Sequence, residues 1–143
     1  MTETDRILKG IVDILQEGLA FYREAASATG DVAHRQLFER MAEEREIGIR
    51  QLLPYITEPV DEPFADDSLT GAVRRLYAEV MSLVRDPDAV YVDQLEDNES
   101  ELLRRIDEAL QSLPQGPARD AVALIHENFT KTHSTMASLK QAL

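Results

Sequence analysis

In the stretch YVDQLEDNESELLRRIDEAL, Tyr91 to Leu110, apolar residues fall at Val92, Leu95, Leu102, Ile106 and Ala109. This alternating three- and four-residue spacing turns one face of a helix to a core. The series asks for an apolar residue between Leu95 and Leu102, and the chain supplies Glu99. A lone carboxylate on a buried face loses several kcal/mol or more of solvation, so Glu99 requires a partner.

Three other long stretches carry the same spacing. The first predicts a helix over 4–28 with Leu8, Val12, Leu15, Leu19, Tyr22 and Ala26 inward and Glu17 and Glu24 toward water. Ile14 and Phe21 widen its apolar arc and point to a homodimer contact. The second runs over 31–56, opened by Asp31 as N-cap, with Leu37, Phe38, Met41, Ile49 and Leu52 inward. Arg45 and Gly48 sit on that apolar face, and Pro54 must kink or end the helix. In chain order the stretch around Glu99 comes next, over 88–111, entered through Asp86-Pro87. The last spans 117–142 after the break Pro114-Gln115-Gly116-Pro117, with Val122, Ile125, Phe129, Met136 and Leu139 inward and His133 within the same face.

Between the second and third lies EPVDEPFADD, residues 58–67, and then an amphipathic stripe of Leu69, Val73, Leu76, Val80 and Val84. It predicts a shorter helix over 68–85, packed outside the bundle as a crossover. Each long helix spans about 36 Å and the crossover about 27 Å, enough to carry the chain back along the bundle. The expectation is an all-α fold over 1–143 as one domain: two antiparallel helical hairpins joined by one long crossover.

Composition removes several function classes. The 143 residues include no cysteine, which excludes disulfides, thiol catalysis and Cys-ligated metals. The net charge of −12 repels phosphate backbones and anionic lipid, so neither nucleic acid nor membrane is an expected partner. With neither a leader pattern nor an apolar run of spanning length, a cytoplasmic protein is expected. Gly-rich phosphate loops, Gly-x-Ser-x-Gly elbows and Ser/His/Asp sets are absent from the sequence.

Counting along each helix puts Leu15 to Leu19, Arg45, Glu99 and Phe129 to His133 at one level. The strongly polar groups among them are Arg45, Glu99 and His133, with Thr130 at the edge of the last face. The expected buried polar cluster is Arg45, Glu99, His133 and Thr130, with Glu99 paired to Arg45. His126, two turns before His133, and Glu44 are candidate helpers of a metal at Glu99 and His133. His34 lies far from this level.

The stretches EGLAFYREAA (17–26), LFERMAEEREIGIRQL (37–52), LEDNESELLRRIDEAL (95–110) and His133 with the following Ser-Thr-Met-Ala-Ser-Leu carry a resemblance. The chain resembles the ferritin-like superfamily, and in particular a bacterial family of small, functionally uncharacterised four-helix bundles of the DUF2383 type. Diiron members of the superfamily place one Glu on each of two helices and a Glu-x-x-His pair on each of the others. The resemblance implies lone-Glu positions at Leu19 and Glu99, and paired positions at Arg45 with Gly48 and at Thr130 with His133. Glu99 and His133 alone keep a ligand type, and Arg45 brings a cation to a carboxylate position. This departure argues against oxidase, peroxidase and iron-storage activity. The expected function is a non-catalytic ferritin-like bundle with a degenerate metal site, a stress-associated or protein-interaction scaffold without cofactor. The alternative is a metal-binding or redox bundle holding iron, manganese or zinc at a reduced site around Glu99 and His133. A hemerythrin-like oxygen carrier needs more histidines than the three present.

Overall fold

A computed structural model describes residues 2–60 and 86–143. Four long α-helices and one short 3-10 turn make up the described regular structure, with no strand among these residues. The helices are α1 (Glu3–Ala28), α2 (Val32–Leu52), α3 (Pro87–Ser112) and α4 (Pro117–Ala142). The crossover helix expected over 68–85 lies outside the described residues.

Local chemistry sets the ends. The Thr2 hydroxyl accepts from the Asp5 backbone N–H at 3.0 Å, and Asp31 accepts from the His34 N–H at 3.0 Å. Each satisfies an amide that a helix start leaves without an internal partner. Asp86 caps α3 in the same way, and Pro87 occupies a first-turn position where its missing N–H costs nothing. The turn into α4 passes through Gly116 at φ 155°, a region that a side chain would strain, and Pro117 opens the helix.

The α-helical part of α2 ends at Leu52 rather than continuing to residue 56. Leu53–Tyr55 forms a 3-10 turn around Pro54, and the Ile56 N–H bonds the Leu53 carbonyl at 3.1 Å. Proline lacks the N–H that the next α-turn needs, so the chain tightens.

Contacts between helix ends give the directions. The Asp5 carboxylate, in the first turn of α1, accepts from the Thr57 N–H at 2.9 Å and from the Thr57 hydroxyl, just past α2. At the opposite end the Thr29 hydroxyl donates to Asp88 Oδ2 at 2.6 Å, and His34 Nδ1 lies 2.6 Å from the same oxygen. The α1–α2 turn is thereby tied to the start of α3. It follows that α2 leaves at one end of the bundle and α3 enters at the other. The two run the same way, each antiparallel to α1.

Helix α1 packs on α2 and α3, while α4 packs on α3 and more sparsely on α2. This places α2 and α3 diagonally across the core. Leu8, Leu15, Phe38, Ile49, Leu102, Ile106, Ile125 and Met136 are fully buried between the helices. Each such side chain contributes about 1.5–3 kcal/mol by leaving water. The wide apolar arc of α1 is used within the chain. Ile14 is 8% exposed and belongs to the core, and Phe21 packs partly buried against it. No helix among the described residues is long and apolar enough to cross a membrane.

Candidate functional site

The centre of the bundle is polar. Arg45 from α2 and Glu99 from α3 are both 0% exposed, and Arg45 Nη2 donates to Glu99 Oε1 at 2.9 Å. The pair crosses the diagonal of the bundle, so it links the two hairpins. Arg45 Nη1 donates to the Ile14 carbonyl of α1 at 3.1 Å. The guanidinium carbon lies 5.7 Å from the Tyr22 ring centre and 5.3 Å from that of Phe129. Cation–π attraction from both rings offsets part of the lost hydration.

The carboxylate accepts from donors on three helices. Tyr22 of α1 donates its hydroxyl to Oε1 at 2.6 Å, and Thr132 of α4 donates to Oε2 at 2.8 Å. Burial, and then the negative charge of Glu99, push the Tyr22 phenol well above its ordinary range, against a smaller opposing pull from Arg45. Tyr22 therefore stays protonated and remains a donor. A buried charge held by charge-assisted bonds from every side is the arrangement under which an internal ion pair is tolerated.

Gly18 makes room for the guanidinium. A Cβ at this position would fall 2.3 Å from Arg45 Nη1, 2.5 Å from Cζ and 2.6 Å from Asn98 Oδ1. Only a glycine lets Arg45 reach the α1 backbone. Gly48 plays a similar part for Phe129, whose ring edge would lie 3.0 Å from an added Cβ.

The other candidate residues separate from this centre. His133 is displaced to the α3–α4 surface, with its side chain 31% exposed. Its Nε2 lies 3.1 Å from Glu96 Oε1 and 3.0 Å from Ser100 Oγ. Glu96 also faces Lys140 at 3.5 Å, and Lys140 pairs with Asp93 at 2.8 Å. Thr130 is exposed, and its hydroxyl bonds the His126 carbonyl one turn back at 2.7 Å. The place in the buried cluster expected for His133 and Thr130 belongs to Thr132. Inward positions on α4 run Val122, Ile125, Phe129, Thr132, Met136. From Phe129 a step of three and a step of four both stay near the face, and the helix phase selects Thr132.

His126 lies 3.0 Å from Asp107 in an exposed pair, and Glu44 lines the groove between α2 and α4. No group of three His, Asp or Glu side chains among the described residues converges as a metal site would require. Among the described residues, the buried side-chain polar atoms left without a partner are Arg45 Nε and Asn98 Oδ1, one donor and one acceptor. They do not form a ligand set, and the guanidinium brings positive charge to the carboxylate a cation would use. These residues do not fit a resident metal at Glu99.

Besides Thr132, two contributors escape the spacing pattern. Spacing marks Tyr22 only as inward, although a buried phenol ordinarily needs an acceptor. The role of Gly18 depends on what faces it across the bundle, which no local pattern records.

The class defined by this architecture is an all-α bundle centred on a buried arginine–carboxylate pair with tyrosine and threonine donors. Within it, the chain belongs to the family described as Domain of unknown function (DUF2383), which matches residues 3–112. Arg45, Glu99, Tyr22 and Gly18 fall inside that stretch, and Thr132 and His133 lie beyond it. Neither a curated protein nor a solved structure matches the chain.

Proposed function

We propose that this protein is a non-catalytic ferritin-like bundle in which arginine takes the place of a metal, acting as a stress-associated or protein-interaction scaffold in the cytoplasm. The observation that carries the reading is the Arg45 guanidinium, 2.9 Å from Glu99 at full burial. Tyr22 and Thr132 also donate to this carboxylate, and the guanidinium supplies the positive charge beside it. The directions of the helices support the ferritin-like assignment, since two hairpins joined from opposite ends are a long-crossover arrangement. The charge of −12 supports an interaction role away from nucleic acid and anionic lipid.

The competing reading is a reduced iron, manganese or zinc site around Glu99 and His133. Elemental analysis of protein purified without chelator separates the two. The scaffold reading expects well under one iron, manganese or zinc per chain, unchanged in Glu99→Gln. A stoichiometric metal that disappears in Glu99→Gln, with the helical spectrum intact, overturns it.

A further inference from the structure

Among the described residues, the seam between α2 and α4 is the most open of the four sides where neighbouring helices meet. Helix α4 packs more sparsely on α2 than on α3, and two grooves run along the seam. The large exposed apolar residues among those described are Val32, Ile47, Tyr55, Leu124 and Leu143. Tyr55 at 39% and Leu124 at 50% line the second groove, and Ile47 at 38% is three residues from both Glu44 and Arg50, which line the two grooves, so helical spacing sets it on the same outer face of α2.

Its charge differs from that of the whole molecule. Arg40, Arg50 and Lys131 line the grooves with Glu44 and Asp120, a near balance on a chain of net charge −12. A second copy meets general repulsion on an acidic surface, and a face of nearly balanced charge lessens it. The balance is also ordered. Glu44 and Lys131 line one stretch of the seam from opposite helices, and Arg50 and Asp120 line the next.

We propose that this seam binds a second copy of the chain in a two-fold dimer whose axis runs along the seam, parallel to the helices. That axis seats each α2 on the partner's α4 and brings residues of equal level together. Glu44 then meets the partner's Lys131, Arg50 meets the partner's Asp120, and Ile47 packs beside the partner's Leu124. The two-fold repeats each contact, as an isologous interface requires. The face measures about 31 by 20 Å, on the order of 600 Å² per copy and 1,200 Å² in all. This lies at the lower edge of specific interfaces, so the dimer is weak and salt-sensitive. The inference is independent of what occupies the bundle centre.

The test is sedimentation equilibrium of the full chain at low salt, at concentrations up to about 1 mM. The native chain is expected to associate reversibly to a dimer. Ile47→Asp is expected to raise the dissociation constant about tenfold or more, as are Glu44→Lys and Lys131→Glu, each alone. An equimolar mixture of the last two is expected to recover dimer within about threefold of native affinity, because opposite charges then meet at both contacts of the heterodimer. Circular dichroism checks that each variant stays folded; these positions are on the surface, and a second apolar variant, Leu124→Asp, replaces any that fails. A monomer throughout, a dimer indifferent to Ile47→Asp, or a mixture no stronger than its components overturns the proposal.

Discussion

Glu99 accepts three hydrogen bonds at the bundle centre, and each donor can be removed separately. Tyr22→Phe deletes one bond to a charged group while leaving Arg45 and Thr132 in place. The expected loss is about 1.5–3 kcal/mol in urea unfolding, and Thr132→Val should fall in the same range. A value near zero for either would mean that the carboxylate does not depend on that donor. Gly18 offers a sharper contrast. Glycine to alanine inside a helix ordinarily stabilises by about 0.8–1 kcal/mol. At Gly18 the new Cβ would overlap the buried guanidinium, 2.3 Å from Nη1, so Gly18→Ala is expected to lose about 1–3 kcal/mol net. Gly10→Ala is the control, because its Cβ meets Arg105 Nη1 at an ordinary 3.5 Å and should gain about 0.5–1 kcal/mol. Equal responses at the two glycines would contradict the close approach of Arg45 to α1.

Helix ends are where the elements are locked together, and one lock responds to acid. The hydroxyl of Thr57, and then its backbone N–H, hold the Asp5 carboxyl below its ordinary value of 3.8. Since the folded value is the lower one, the stabilisation is fully present above that ordinary value. It is lost as pH falls through the folded value. Unfolding midpoints measured from pH 6 to 2 should therefore drop more steeply in the native chain than in Asp5→Asn. Parallel curves would show that Asp5 does not tie α1 to the exit of α2. The Asp31 and Asp86 caps and the stop at Pro54 are legible in the sequence because capping and proline chemistry are local. Glu99 and Arg45 are legible as well, since each interrupts an apolar series. On α4, by contrast, Thr132 and His133 are both compatible with the spacing after Phe129. A shift of one residue turns a side chain by about 100°, and only packing against α3 settles it. His133 is the more conspicuous residue and the outward one.

Across the whole molecule, the Arg45–Glu99 pair joins the two hairpins diagonally, so its strength bears on how the bundle holds together. Buried ion pairs are weak stabilisers against apolar replacements, yet breaking one side is expensive. The pair therefore has a distinctive signature. Arg45→Met or Glu99→Leu alone leaves an uncompensated buried charge and should lose about 3–5 kcal/mol. Together they should recover most of that loss and can exceed native stability. A double-mutant cycle by urea unfolding, with chelator present throughout, tests this account most directly. Costly single changes with a recovering double change are the predicted result. Singles that each lose less than about 0.5 kcal/mol, as surface substitutions do, or costly singles with no recovery in the double, would contradict the pairing at the centre of the bundle.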